Sequence, residues 1–407
     1  ATSAIRFVVG GEETMKRSRT PDIVADAAHL VLTRDKDFTG NFLIDDTFLA
    51  EPPKTLVLPD GFEFTRGGTI APFEIVYETY GELNDDRSNA VLVCHALSPS
   101  AHAAGVYSPE DERPGWWDGM IGYGKPIDLE KHFVICVNFP GSCWGTTGPA
   151  SLDFATGRPH GSSYPWITIE DMVSAERLVV DHLGIESLRS VVGGSLGGMQ
   201  VLMWAALQPE RMRSMIAMAA AAAVPVEGVG WHIIGRKIIE SDQDFQGGDY
   251  YEHGRPLRGL EVARMVGHMT YLSLESLESK FGRQRRHGSR QFEIDSYFEY
   301  QGKKFAASYD ANSYIRVQAA MDEMDLEEQH GSLVNAFSTV SCPALVISFT
   351  TDWLFPPREV AKVQEAFEEL GVPSTHLEIA TPKGHDAFLI DFDLIGPPVR
   401  EFLGKAT

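Results

Sequence analysis

Val191-Val192-Gly193-Gly194-Ser195-Leu196-Gly197-Gly198-Met199-Gln200 is the stretch from which the rest of the chain is read. A short apolar run leads into a serine framed as G-x-S-x-G, and Met199, Val201-Leu202 and Ala205-Ala206 then continue as a helical pattern toward Pro209. A serine on a sharp strand-to-helix turn has its hydroxyl projecting into a cleft, the geometry of an activated nucleophile. Side chains at positions 193 and 197 would collide with the strand and helix that such a turn forces together, so glycine is required there. The competing reading is a plain Gly-rich turn, and the two separate on what the rest of the chain supplies.

A serine hydroxyl is a weak nucleophile unless a histidine takes its proton and a carboxylate fixes that histidine's tautomer. In folds built on this elbow the acid and then the histidine follow in chain order, each on a loop after a strand. Here Ala344-Leu345-Val346-Ile347-Ser348-Phe349 runs into Thr351-Asp352, and His376-Leu377-Glu378-Ile379 runs into Gly384-His385-Asp386. Asp352 and His385 fit in order and context. Taken singly, Asp352 also reads as a turn or N-cap residue before Pro356-Pro357, and His385 as a surface histidine. The tetrahedral intermediate needs two N–H donors. Leu196, next after the nucleophile, supplies one by position; the strand-like Ala90–Cys94 running into His95-Ala96-Leu97 assigns the second to Leu97. His95 and His102 lack metal-ligand spacing and read as structural histidines, so no metal is expected. Cys143, in a Gly-rich loop, is a lesser candidate nucleophile.

Strand-like runs at 90–94, 133–137, 190–192, 214–218, 344–349 and 376–379 alternate with helical patterns, which predicts an α/β fold with a mostly parallel sheet flanked by helices. Together with the elbow this predicts the α/β-hydrolase fold. Thr168-Ile169-Glu170-Asp171 opens a capped helix ending at Gly184. From about 226 to 335 helical periodicity replaces the strands, predicting a helical lid inserted into one core of 51–225 and 336–407. The chain has 407 residues and a formal net charge of −22, which argues against nucleic acid or an anionic membrane surface as partner. The apolar run Met215–Val224 is too short to cross a bilayer. The opening residues lack the pattern of a signal peptide, and the four cysteines show no CxxC spacing, so a cytoplasmic protein is expected.

Eight ordered segments carry a closer resemblance. They are Phe73–Asn84, His95-Ala96-Leu97, Gly145-Thr146-Thr147-Gly148-Pro149, Gly193–Gln200, Ala263–Tyr271, Tyr300–Phe305, Asp310–Tyr314 and Gly384–Leu389. From about Leu58 to Phe402 the chain resembles the homoserine O-acetyltransferase family, which also includes related esterases. The resemblance implies ping-pong acyl transfer: acetyl-CoA, a co-substrate and not a bound cofactor, acylates the serine, and homoserine or a similar hydroxy amino acid takes the acetyl group. It places acceptor binding on Arg264, Tyr271 and Asp386, a guanidinium for the carboxylate and a carboxylate for the ammonium. On spacing alone Arg264 and Tyr271 also read as a packing pair on one helix face. It further implies a homodimer formed through the lid. The chain departs from the family at Ser98-Pro99, at Gly141-Ser142-Cys143-Trp144 and at Gly235-Arg236-Lys237, all in the pocket wall or the donor's approach. A carboxylesterase using the same Ser195, His385 and Asp352 is therefore the alternative function, and a non-catalytic scaffold a third. Residues 1–50 resemble the C-terminal tail of a short-chain dehydrogenase without its dinucleotide turn or its Tyr-x-x-x-Lys pair, and read as a remnant without redox function.

Overall fold

The computed structural model describes residues 48–405; the dehydrogenase-like tail segment lies almost wholly outside them. Eight strands form one sheet: β1 (Lys54–Leu58), β2 (Phe73–Tyr80), β3 (Ala90–Cys94), β4 (Phe133–Val137), β5 (Ser190–Gly194), β6 (Met215–Met218), β7 (Ala344–Phe349) and β8 (Ser374–Ile379). Their order across the sheet is β1-β2-β4-β3-β5-β6-β7-β8. All neighbours from β4 to β8 pair in parallel. β1 and β2 add an antiparallel edge.

Every residue of β3, β4, β5, β6 and β7 is buried. That is why these strands read as unbroken apolar runs: side chains alternate between two covered faces. Along β3, Ala90, Leu92 and Cys94 join one core layer while Val91 and Val93 join the other. β2 was not among the predicted runs. Its Glu78 interrupts the apolar pattern yet is only 3% exposed, accepting hydrogen bonds from Tyr80 Oη at 2.8 Å and Tyr107 Oη at 2.6 Å, beside His102 Nδ1 at 3.1 Å. A buried carboxylate with partners cannot be told from a solvent-facing one by pattern.

Helix α1 (Ile169–His182) begins at a capping box in which Thr168 Oγ1 accepts from Asp171 N and Asp171 Oδ2 accepts from Thr168 N. It packs on α2 (Leu196–Leu207), buried along its first ten residues because it lies between α1 and the sheet. Between the two helices, Trp204 Nε1 donates to Glu176 Oε2 at 2.6 Å. Burial raises the Glu176 carboxyl to about 7, with Trp204 and the Cys94 thiol opposing the rise.

After β6 the chain leaves the sheet for a run of helices, including α3 (Val226–Glu240), α4 (Leu257–Tyr271), α5 (Glu293–Ser308) and α6 (Ala311–Glu323). The excursion closes on itself before β7. Ala223 bridges Asp325 antiparallel, and Leu326 N donates to Ala222 O at 3.1 Å. Residues 224–324 thus leave and return at neighbouring points of backbone. α7 (Pro357–Leu370) and α8 (Phe392–Lys405) complete the cover, α8 burying Ile395, Val399 and Leu403 against the second core layer.

Candidate active site

β5 runs through Gly194, so the strand extends into the motif itself. Ser195 follows at φ 59° and ψ −127°, and α2 starts at the next residue. A non-glycine residue at positive φ is held there only by its surroundings. Those surroundings are tight: a Cβ on Gly197 would lie 2.1 Å from the Cys94 carbonyl oxygen, and one on Gly193 would lie 2.4 Å from the Gly197 backbone. The collision expected from sequence is therefore present at both positions. The β3–β5 register, which pairs Cys94 with Gly193, brings the loop after β3 against the elbow.

Asp352 follows the end of β7, and its N–H donates to Phe349 O at 3.0 Å. Its Oδ1 accepts from the Leu354 and Phe355 N–H groups, both at 2.9 Å, leaving Oδ2 for His385. His385 sits on the loop after β8, next to Gly384 at φ 72°, where a Cβ would meet Tyr271 O and Ser273 N of the helical excursion. His385 Nδ1 donates to Asp352 Oδ2 at 2.8 Å, and Ser195 Oγ donates to His385 Nε2 at 2.8 Å. All three residues are buried. Burial disfavours the His385 imidazolium, but the Asp352 charge and hydrogen bond outweigh it and raise its pKa above 6.5. This line of groups can carry a proton from serine to imidazole while the carboxylate stabilises the cation that forms.

Leu97 and Leu196 flank the serine on the converging loop and helix, and neither N–H donates to an acceptor among the described residues. Leu196 is the first helical residue, whose N–H has no intrahelical acceptor. Arg264, on α4, reaches the same loop: its Nη1 donates to Ser98 Oγ at 2.7 Å. Its guanidinium carbon lies 4.5 Å from the Phe305 ring centroid and 5.1 Å from that of Tyr271. Arg264 Nε is buried without a partner among the described residues. The Tyr271 ring in turn lies 6.2 Å from the His385 ring. Burial raises the half-buried Asp386 carboxyl, opposed by His385 and Arg264. All eight residues singled out in the sequence thus converge around the carboxyl end of β5, where open parallel sheets hold their ligands.

Two neighbours had no signal of their own. Gln200 Nε2 donates to His95 O at 3.1 Å and to Leu196 O at 3.2 Å, and Tyr309 Oη donates to Leu97 O at 2.8 Å. Gln200 lies within the opening stretch, but a bond to a carbonyl more than a hundred residues away leaves no local pattern. Burial pushes the Cys143 thiol up to about 12, which disfavours the thiolate that a cysteine nucleophile needs. His102 stacks on Tyr107 at 4.2 Å. Among the described residues no group of three or more His, Cys, Asp or Glu side chains is placed to hold a metal ion, and no helix is long and apolar enough to cross a membrane.

Residues 89–392 match the family of the alpha/beta hydrolase fold. The homoserine O-acetyltransferase of Deferribacter desulfuricans is 44% identical over 360 residues, covering 86% of this chain and 95% of that protein. A homoserine O-succinyltransferase of an Azoarcus species is 47% identical over 347 residues, covering 83% of this chain and 92% of that protein. The crystal structure of homoserine O-acetyltransferase from Bacillus anthracis superposes with a TM-score of 0.83 at 29% identity, covering 88% of this chain and 99% of that one. With its strand order, elbow and full-length relatives in agreement, the chain belongs to the homoserine O-acyltransferases, a family of the α/β-hydrolase fold.

Proposed function

We propose that this protein transfers an acetyl group from acetyl-CoA to the hydroxyl of homoserine through an acyl-enzyme on Ser195. The observation that carries the reading is the unbroken line Ser195 Oγ, His385 Nε2, His385 Nδ1, Asp352 Oδ2, with both links at 2.8 Å. His385 takes the Ser195 proton as Oγ attacks the thioester carbonyl. The oxyanion accepts from the Leu97 and Leu196 N–H groups, and collapse of the adduct expels the CoA thiolate, which takes the proton from His385. The acceptor hydroxyl then gives its proton to the same imidazole and attacks the acyl-serine, regenerating Ser195. Arg264 grips the acceptor carboxylate, Asp386 pairs with its ammonium, and Tyr271 closes the site beside His385. Water competes for the same acyl-enzyme, so the helices of 226–335 serve as a lid that positions the acceptor and limits hydrolysis.

An acetyl donor fits better than a succinyl donor, because a succinyl carboxylate would need its own cation. Arg264 is the guanidinium tied to the loop beside the nucleophile, and the acceptor occupies it. Val226, Ile233, Ile234, Leu257 and Met269 are exposed on α3 and α4, which supports a homodimer formed through the lid. All four cysteines stand as free thiols, in keeping with a cytoplasmic protein.

The test mixes enzyme with acetyl-CoA or succinyl-CoA, with and without homoserine, and follows free thiol. Homoserine-dependent release that is faster with acetyl-CoA is expected. Release indifferent to homoserine, with rapid cleavage of p-nitrophenyl acetate, would make the protein an esterase; preference for succinyl-CoA would overturn the donor assignment. Light scattering of the eluting protein checks the dimer.

A further inference from the structure

The three carbonyl oxygens of His95-Ala96-Leu97 are each held by a side chain. Gln200 Nε2 donates to His95 O at 3.1 Å, His95 Nδ1 lies 2.8 Å from Ala96 O, and Tyr309 Oη donates to Leu97 O at 2.8 Å. The middle contact has a directional consequence. In a trans peptide the C=O and the following N–H point in opposite directions, so whatever fixes Ala96 O also fixes the Leu97 N–H. We infer that His95 is a positioning residue: its Nδ1–H grips the Ala96 carbonyl and thereby aims the Leu97 N–H at the oxyanion formed on the Ser195 adduct. The inference rests on the acyl-enzyme reading and adds to it the source of one donor's direction.

The tautomer follows from the surroundings. The His95 ring is fully buried and stacked on Phe139 at a centroid distance of 4.5 Å, and burial holds its pKa down at about 4, so it is neutral with one N–H. Its Nε2 has no partner among the described residues. The proton therefore sits on Nδ1, facing the one acceptor the ring touches. Gln200 complements this from below. By bonding both His95 O and Leu196 O it ties the loop carrying one donor to the helix turn carrying the other, which fixes the spacing of the pair. A donor set that is already aimed costs no reorganisation when charge develops.

Asparagine places its amide nitrogen where histidine has Nδ1, and leucine has the same size without a donor. His95→Asn and His95→Leu both lose the stack on Phe139, so they differ only in the hydrogen bond. The experiment measures kcat and KM for p-nitrophenyl acetate, inhibition by a boronic acid that forms an anionic tetrahedral adduct on the serine, and thermal melting. His95→Leu is expected to lose kcat by about 10²-fold with KM nearly unchanged; boronate inhibition should weaken by a similar factor, and His95→Asn should recover most of both. Equal kcat in folded Asn and Leu variants would overturn the inference. Should His95→Leu not fold, His95→Phe removes the donor while keeping an aromatic ring beside Phe139, and a folded His95→Phe with unchanged kcat and boronate inhibition would overturn it as well. Ester cleavage separates this outcome from the acceptor assignment, because hydrolysis and transfer share the oxyanion. Full activity in Ser195→Ala would instead remove the acyl-enzyme reading itself.

Discussion

Ser195 sits in backbone geometry that costs on the order of 1–3 kcal/mol and is retained because β5, α2 and the Cys94 carbonyl leave no other path. Its replacement by alanine is expected to lower kcat by roughly 10⁴- to 10⁶-fold while leaving the fold intact, measured by thiol release and melting. The pH dependence follows from His385. Only the neutral ring accepts the serine proton, and Asp352 raises the pKa above the ordinary 6.5. The acid limb of kcat/KM should therefore fall above pH 6.5, with activity lost as pH drops through it. Asp352→Asn should move that limb to lower pH and reduce kcat by about 10⁴-fold; an unmoved limb would assign it to another group. These residues were legible in the sequence because the chemistry fixes their order and each follows a recognisable strand. His95 and Gln200 were not, since their work lies in the direction of carbonyls that only the folded backbone defines.

At the scale of elements, the parallel strands declared themselves as apolar runs because both of their faces are covered, whereas β2 was hidden by Glu78, which is partnered by Tyr80 on the same strand and by His102 and Tyr107 on a distant loop. Glu176, between α1 and α2, was equally invisible, reading as one more charge on an amphipathic helix. Its folded pKa of about 7 lies above the ordinary 4.5. Its contribution to stability is thus fully present below about pH 4.5 and is lost as pH rises through about 7. Glu176→Gln keeps the shape and removes the titration, so its melting temperature should decline less than that of the parent protein between pH 5 and 8. Parallel declines would show that Glu176 does not set the slope. Gly197→Ala drives a methyl to 2.1 Å from Cys94 O. The expected cost is about 1–3 kcal/mol in denaturant unfolding, together with loss of acylation because the elbow must shift.

In the whole molecule, the sheet carries the nucleophile and its base while the excursion after β6 brings Arg264 and Tyr271 over them. Arg264→Lys keeps the charge and loses the planar fork. The homoserine KM should rise by about tenfold or more while p-nitrophenyl acetate cleavage stays within twofold, a split that a merely structural arginine would not produce. The sequence showed this stretch as helical but not its closure, because the bridge of Ala223 to Asp325 joins residues a hundred positions apart with no shared motif. A segment that departs and re-enters at hydrogen-bonded neighbours imposes nearly the same constraint on the sheet whatever its length or content. Residues 224–324 can therefore vary in length and content at little cost to the sheet, provided they keep the groups set against the elbow and its base, Arg264, Tyr271 and Tyr309.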